Sequence, residues 1–152
     1  MLKDDDLINA MVSTLQSIPE LLALLDGNSP ASVVPYIDQY PKRNNVLQAA
    51  YTQKNGTVMV AWEDTVVNEA PEMSAWVHTV RFYLRPLSGG SYFAMADAIV
   101  DGVPAGGNQR WRYCPVMNGV LPTFIRSIGR QTDPEHIDVF IIETLTYETG
   151  DA

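Results

Sequence analysis

Residues 76–86, WVHTVRFYLRP, decide how the rest of the chain is read. As extended backbone, with alternate side chains on opposite faces, they divide into Trp76, His78, Val80, Phe82 and Leu84 on one side and Val77, Thr79, Arg81, Tyr83 and Arg85 on the other. The first set predicts a core-facing surface and the second a mixed one. His78 is one of only two histidines in the chain, so the stretch could be a catalytic site or one strand of a core. A histidine on the apolar face of a strand is more often a hydrogen-bonded core or interface residue than a catalyst, and the strand reading is preferred. Pro86 and LSGG end the strand.

Working outward, Ser91 is a natural N-cap for a helix YFAMADAIVD, in which Tyr92, Phe93, Met95, Ala96, Ile99 and Val100 can face a core. On the other side, KNG turns into a strand TVMVAWE at 57–63, and DTVVNEAPEMS connects that strand to the opening stretch. Leu7, Ile8, Met11, Val12, Leu15 and Ile18 recur at helical spacing near the N-terminus, with Asp4, Asp5 and Asp6 placed to cap the helix and to face its positive end. Pro19 stops that helix or opens a short second one, PELLALL. Residues 30–45 contain three prolines and read as loop, NVLQAAYTQ reads as a short helix, and the glycine- and proline-rich residues 103–122 read as a long loop. TFIRSIGRQ, a turn TDPEH and IDVFIIETLTYE complete an antiparallel hairpin. The expected fold is a single α+β domain over residues 1–152 ending in a short C-terminal tail. Its four-stranded, mainly antiparallel sheet is packed on one face by the N-terminal helix and a second helix. The strand-helix-strand passage could instead pair two strands in parallel, giving a mixed sheet.

Composition narrows the classes of function. At 152 residues the chain can bury roughly two thirds of its unfolded surface without a disulfide, and its single cysteine, Cys114, cannot form an internal one. MLKDDDLINAMVSTL lacks the features of a secretory signal, so synthesis in the cytoplasm is the default expectation, and no apolar run approaches the length of a membrane span. A net charge of -8 argues against binding nucleic acid by phosphate neutralisation. The charge is also unevenly spread, with ten acidic and four basic residues in 1–80, two and six in 81–130, and six and none in 131–152. These blocks can pair within the fold or between copies in a head-to-tail ring.

Catalytic patterns are weak. Ser91 with His78, or Cys114 with His136, could be assembled only on paper: GGSYF is not a G-x-S-x-G elbow, and Ser91 is explained by capping. Two histidines and one cysteine give no zinc pattern, RPLSGGS lacks the phosphate-loop lysine and spacing, and Asp133, Glu135 and Asp138 do not match a calcium loop. No catalytic residue, metal or cofactor is expected. RWRY, residues 110–113, joins residue types enriched at protein contacts, and an ordinary loop anchored by Trp111 explains it equally well.

The layout resembles the small tail-terminator and tail-completion (neck) proteins of long-tailed bacteriophages. The resemblance is carried by the helix ending in LQSIPELLALL, the strand TVMVAWED, the strand WVHTVRFYLRP leading into SYFAMADAIVDGVP, and the closing RQTDPEHIDVFIIETLTYE. It implies a non-enzymatic virion protein, assembled in the host cytoplasm, that forms a homo-hexameric ring at the head-proximal end of the tail. Such a ring stops tail-tube polymerisation and joins the tail to the head. Its implied partners are the major tail protein, the head connector or head completion protein and the tape measure protein, with DNA only passing through the lumen and no membrane. Arg81, Arg85, Arg110, Trp111, Arg112, Tyr113, Asp133, Glu135 and Asp138 are the expected interface residues. Another neck adaptor, a small enzyme around His78 and a monomeric binding module are the alternatives.

Overall fold

The computed structural model describes residues 3–37, 46–70, 73–102, 123–135 and 137–149. The expected long loop at 103–122, with Arg110, Trp111, Arg112, Tyr113 and Cys114, lies outside them, as do His136 and the C-terminal tail from residue 150. The elements run α1 (Asp4–Gln16), α2 (Pro19–Leu22), β1 (Val33–Tyr36), α3 (Val46–Tyr51), β2 (Thr57–Ala70), β3 (Met73–Arg85), α4 (Tyr92–Gly102), β4 (Thr123–Thr132) and β5 (Asp138–Thr149).

The strands form one mixed sheet in the order β1-β2-β3-β5-β4. The expected α+β class holds, but the sheet has five strands rather than four. The extra strand is β1, parallel to β2, in the proline-containing region that reads as loop. Pro35 has no N–H to give a ladder, which is tolerable because β1 lies on the sheet edge. The remaining contacts are antiparallel, and β5 lies between β3 and β4, so the strand-helix-strand passage brings no parallel pair together.

DTVVNEAPEMS is not a simple connection either. β2 continues through Ala70 and β3 starts at Met73, so most of that segment extends the hairpin, which β-branched Thr65, Val66 and Val67 favour. The end of the sheet carrying Thr57, Arg85 and Asp138 is called lower here, and the end carrying Ala70, Met73 and Thr149 upper. Gly56 fixes the lower corner: its N–H donates to the Arg85 carbonyl at 2.6 Å, and its own carbonyl accepts from Asp26 N–H at 3.0 Å. Its φ of 81° suits glycine, and a Cβ there would lie 2.7 Å from the Asp26 nitrogen.

Alternation in β3 does what the sequence predicts for Val80, Phe82 and Leu84, whereas Trp76 is only partly buried outside the core and His78 meets polar partners. Val80, Phe82 and Leu84 meet Val58 and Val60 of β2 and Ile142 of β5 in a core closed by Leu7, Met11 and Leu15 of α1 and by Met95 and Ile99 of α4. Burying each of the larger side chains contributes about 1.5–3 kcal/mol. Tyr83 faces the other way, with Met59, Ala61 and Val139, beneath Val46 and Ala50 of α3. Helices therefore cover part of both faces and not one only, because the segment NVLQAAYTQ lays its apolar side on the second face. Ser91 caps α4 as expected, its hydroxyl accepting from Ala94 N–H at 3.4 Å. Phe93 does not join the core and is 66% exposed. Asp4, Asp5 and Asp6 occupy the first turn of α1 while Lys3 holds the N-cap position without a side-chain cap bond, so the acids face the helix dipole but do not cap.

Candidate functional site

Two polar constellations occupy opposite faces of the sheet above its apolar lower half. On the face shared with α1 and α4, the imidazole of His78 is buried, with the residue only 1% exposed. Its Nε2 lies 3.0 Å from Glu148 Oε1 of β5, and its Nδ1 lies 2.8 Å from Thr65 Oγ1 of β2. A carboxylate can only accept, so Nε2 carries the proton; in the neutral ring Nδ1 then accepts from the Thr65 hydroxyl. Trp62 Nε1–H donates to the same hydroxyl oxygen at 2.9 Å, which completes a directional chain. Around it lie Thr144, whose hydroxyl donates to the Val80 carbonyl at 2.9 Å, and the Thr123–Thr146 hydroxyl pair at 3.0 Å. Thr65, His78 and Glu148 repeat the order hydroxyl, imidazole, carboxylate of a nucleophilic relay. The burial of His78 leaves a substrate no approach to the ring, however, and the Thr65 oxygen already accepts one bond and donates another. The chain ties β2, β3 and β5 together.

The opposite face carries a row of charges, one from each of four adjacent strands: Glu63 on β2, Arg81 on β3, Glu143 on β5 and Arg126 on β4. Arg81 Nε donates to Glu143 Oε2 at 2.8 Å and Arg81 Nη1 lies 3.5 Å from Glu63 Oε2, while Arg126 Nη1 lies 3.4 Å from Glu143 Oε1. Partial burial by itself would lower the pKa of Arg81, but the hydrogen bond to Glu143, helped by Tyr83 and Glu63, raises it above the ordinary arginine value. Burial, opposed by Arg81, pushes the Tyr83 hydroxyl upward as well. The two ends of the row sit on β-bulges, since the register shifts between Trp62 and Asp64 on β2 and between Ile125 and Ser127 on β4. Such a bulge leaves one residue without a ladder partner and re-aims its side chain.

Of the interface residues expected from sequence, Arg81 is the centre of this row. Arg85 is turned into the fold, donating to the Tyr51 carbonyl and to Asn55 Oδ1, both at 2.7 Å. Asp133 Oδ1 accepts from the backbone N–H groups of Glu135 at 3.0 Å and Ile137 at 2.7 Å, an Asx arrangement that closes the β4–β5 turn. Asp138 lies 3.9 Å from Arg130 and accepts from the Thr132 hydroxyl. Glu63, Arg126, Glu143, Thr65 and Glu148 were not legible as site residues. Their meeting depends on strand adjacency and on the bulges, and neither leaves a periodic signal. Among the described residues no group of three or more His, Cys, Asp or Glu side chains is placed to hold a metal ion, and no helix is long and apolar enough to cross a membrane. Comparison with protein-family models gives no match, and comparison with curated proteins gives none either.

Proposed function

We propose that this chain is a structural virion protein that forms a homo-hexameric ring at the head-proximal end of a long phage tail. In that role it stops growth of the tail tube, meeting the major tail and tape measure proteins on one side and the head connector on the other. One observation carries the reading: the sheet ends in two dissimilar edges that, among the described residues, no strand pairs. These are the outer side of β4 and, beyond the end of β1, the upper part of β2. Dissimilar edges on opposite sides of a rigid domain suit the heterologous contacts from which rings are built. The sequence layout resembling neck proteins supplies the place in the particle, and the net charge of -8 suits a conduit whose wall must not hold passing DNA. Light scattering with electron microscopy of the purified chain is the test. The expected result is a six-fold ring with a central channel; a monomer at all concentrations overturns it.

A further inference from the structure

We propose that the Asn55-Gly56 peptide at the lower corner is a latent site of spontaneous deamidation, which Arg85 holds unreactive while the corner is closed. The inference is independent of the ring reading. Asparagine is a chemically labile residue, and a following glycine makes it more so, because no Cβ hinders attack by the glycine nitrogen and the permissive backbone reaches the geometry that attack needs. The corner cannot dispense with this glycine: a Cβ on Gly56 would lie 2.7 Å from both the Asp26 nitrogen and Leu87 Cδ2, at a φ of 81°. Asn55 is exposed, so water and hydroxide reach its side-chain amide. The residue that lets the chain turn here is therefore the one that puts the preceding asparagine at risk.

One residue restrains both reacting groups. The Arg85 carbonyl accepts from Gly56 N–H at 2.6 Å, and Arg85 Nη2 donates to Asn55 Oδ1 at 2.7 Å while Nη1 is anchored on the Tyr51 carbonyl at 2.7 Å. The Gly56 carbonyl accepts from Asp26 N–H at 3.0 Å, which fixes the glycine from its other side. For reaction, the Gly56 nitrogen must give its proton to hydroxide, which its bond to the Arg85 carbonyl opposes, and attack Asn55 Cγ. Polarisation of the amide by the guanidinium has no effect while that nitrogen is tied down. Once it is free, the new N–Cγ bond closes a succinimide, the Cγ–Nδ2 bond breaks, and the amide nitrogen leaves as ammonia with a proton taken from water. Water then opens the ring. Breaking the new N–Cγ bond leaves aspartate; breaking the original peptide bond leaves isoaspartate, whose main chain runs through Cγ and is one atom longer. Aspartate keeps a partner for Arg85, whereas the extra main-chain atom prevents Gly56 from meeting Arg85 and Asp26 together. A copy whose corner has once opened for long enough is thereby marked permanently.

The test follows conversion at Asn55 in the full chain by peptide mapping with mass spectrometry. Mapping separates aspartate from isoaspartate and distinguishes this site from the chain's other Asn-Gly pair, Asn118-Gly119, which lies outside the described residues. Folded wild-type protein should convert about a hundredfold more slowly than the same chain unfolded in urea, as expected of a site that reacts only when a charged and a neutral hydrogen bond have opened. Arg85→Met should convert about tenfold faster than wild type. The control is wild type in the urea concentration that lowers its global stability to that of the variant, and it should convert far more slowly than the variant, because local opening does not need global unfolding. If Arg85→Met does not fold, Arg85→Lys takes its place with a change in the same direction, since an ammonium lacks the planar fork that spans Tyr51 and Asn55. Folded wild type converting as fast as the unfolded chain overturns the protection. The matched control converting as fast as the variant assigns protection to global stability and overturns the role of Arg85. Isoaspartate protein that melts at the wild-type temperature overturns the permanent mark.

Discussion

The lower and upper halves of the same β2–β3 hairpin are held together by different physics. Below, Val58, Val60, Phe82 and Leu84 are fully buried beneath α1 and α4, and the sheet is stabilised by apolar burial that needs no direction. Above, the same face of the same strands carries Thr65 and His78, and cohesion passes to hydrogen bonds that work only in one geometry. Apolar packing tolerates small shifts, whereas a buried polar chain that loses one member leaves the others unsatisfied. The difference assigns stability to the lower half and a fixed shape to the upper half.

The comparison breaks most visibly at Phe82. Phe82→Ala should cost about 3–5 kcal/mol and lower the urea midpoint at nearly unchanged m-value. A loss under about 1 kcal/mol would mean that the lower half is not the principal core.

His78→Ala should cost about 2–3 kcal/mol, because Thr65 and Glu148 lose their shared partner, while His78→Gln should recover part of it by keeping an amide between them. If the two variants melt alike, the upper half is held by packing and the contrast between the halves fails.

Arg81→Met tests the charged face and should cost about 1–2 kcal/mol, since Glu63 and Glu143 both lose the guanidinium that bridges them. That loss should shrink in about 1 M salt, where exposed charge interactions are screened, and the Phe82→Ala loss should not.

The smallest effect concerns alkaline pH. The pKa of Tyr83 is raised in the folded protein, so the unfolded chain ionises first; its contribution is complete below the ordinary tyrosine pKa of 10 and is lost as pH rises from there through the raised value. Tyr83→Phe should flatten that decline, as followed by urea titrations across the range, and an unchanged slope would assign the decline to other groups.

Much of the fold was legible because local patterns sufficed. The alternation in 76–86, the apolar stripe of α1, the Ser91 cap and the hairpin turn at Asp133 each depend on residues close in sequence. β1 was hidden by Pro35, which speaks against a strand unless the strand lies on an edge, and edge position is a property of the whole sheet. The extension of β2 and β3 was hidden by its mixed polarity, which gives no clean alternation of apolar and polar residues. At the candidate site, Arg81 was found because arginine in an apolar run is conspicuous. Its partners were not, since nothing local distinguishes Glu63 or Glu143 from any solvated acid.

By itself the sequence determined the α+β class, the two-sided strand at its centre and the face that Val80, Phe82 and Leu84 turn to the main core, because side-chain alternation follows from backbone geometry alone. Only the tertiary structure decided that β5 enters between β3 and β4, that bulges place Glu63 and Arg126 at opposite ends of one row, and that His78 meets Thr65 and Glu148. Periodicity specifies which way a side chain points, and only the pairing of strands far apart in sequence specifies what it meets there.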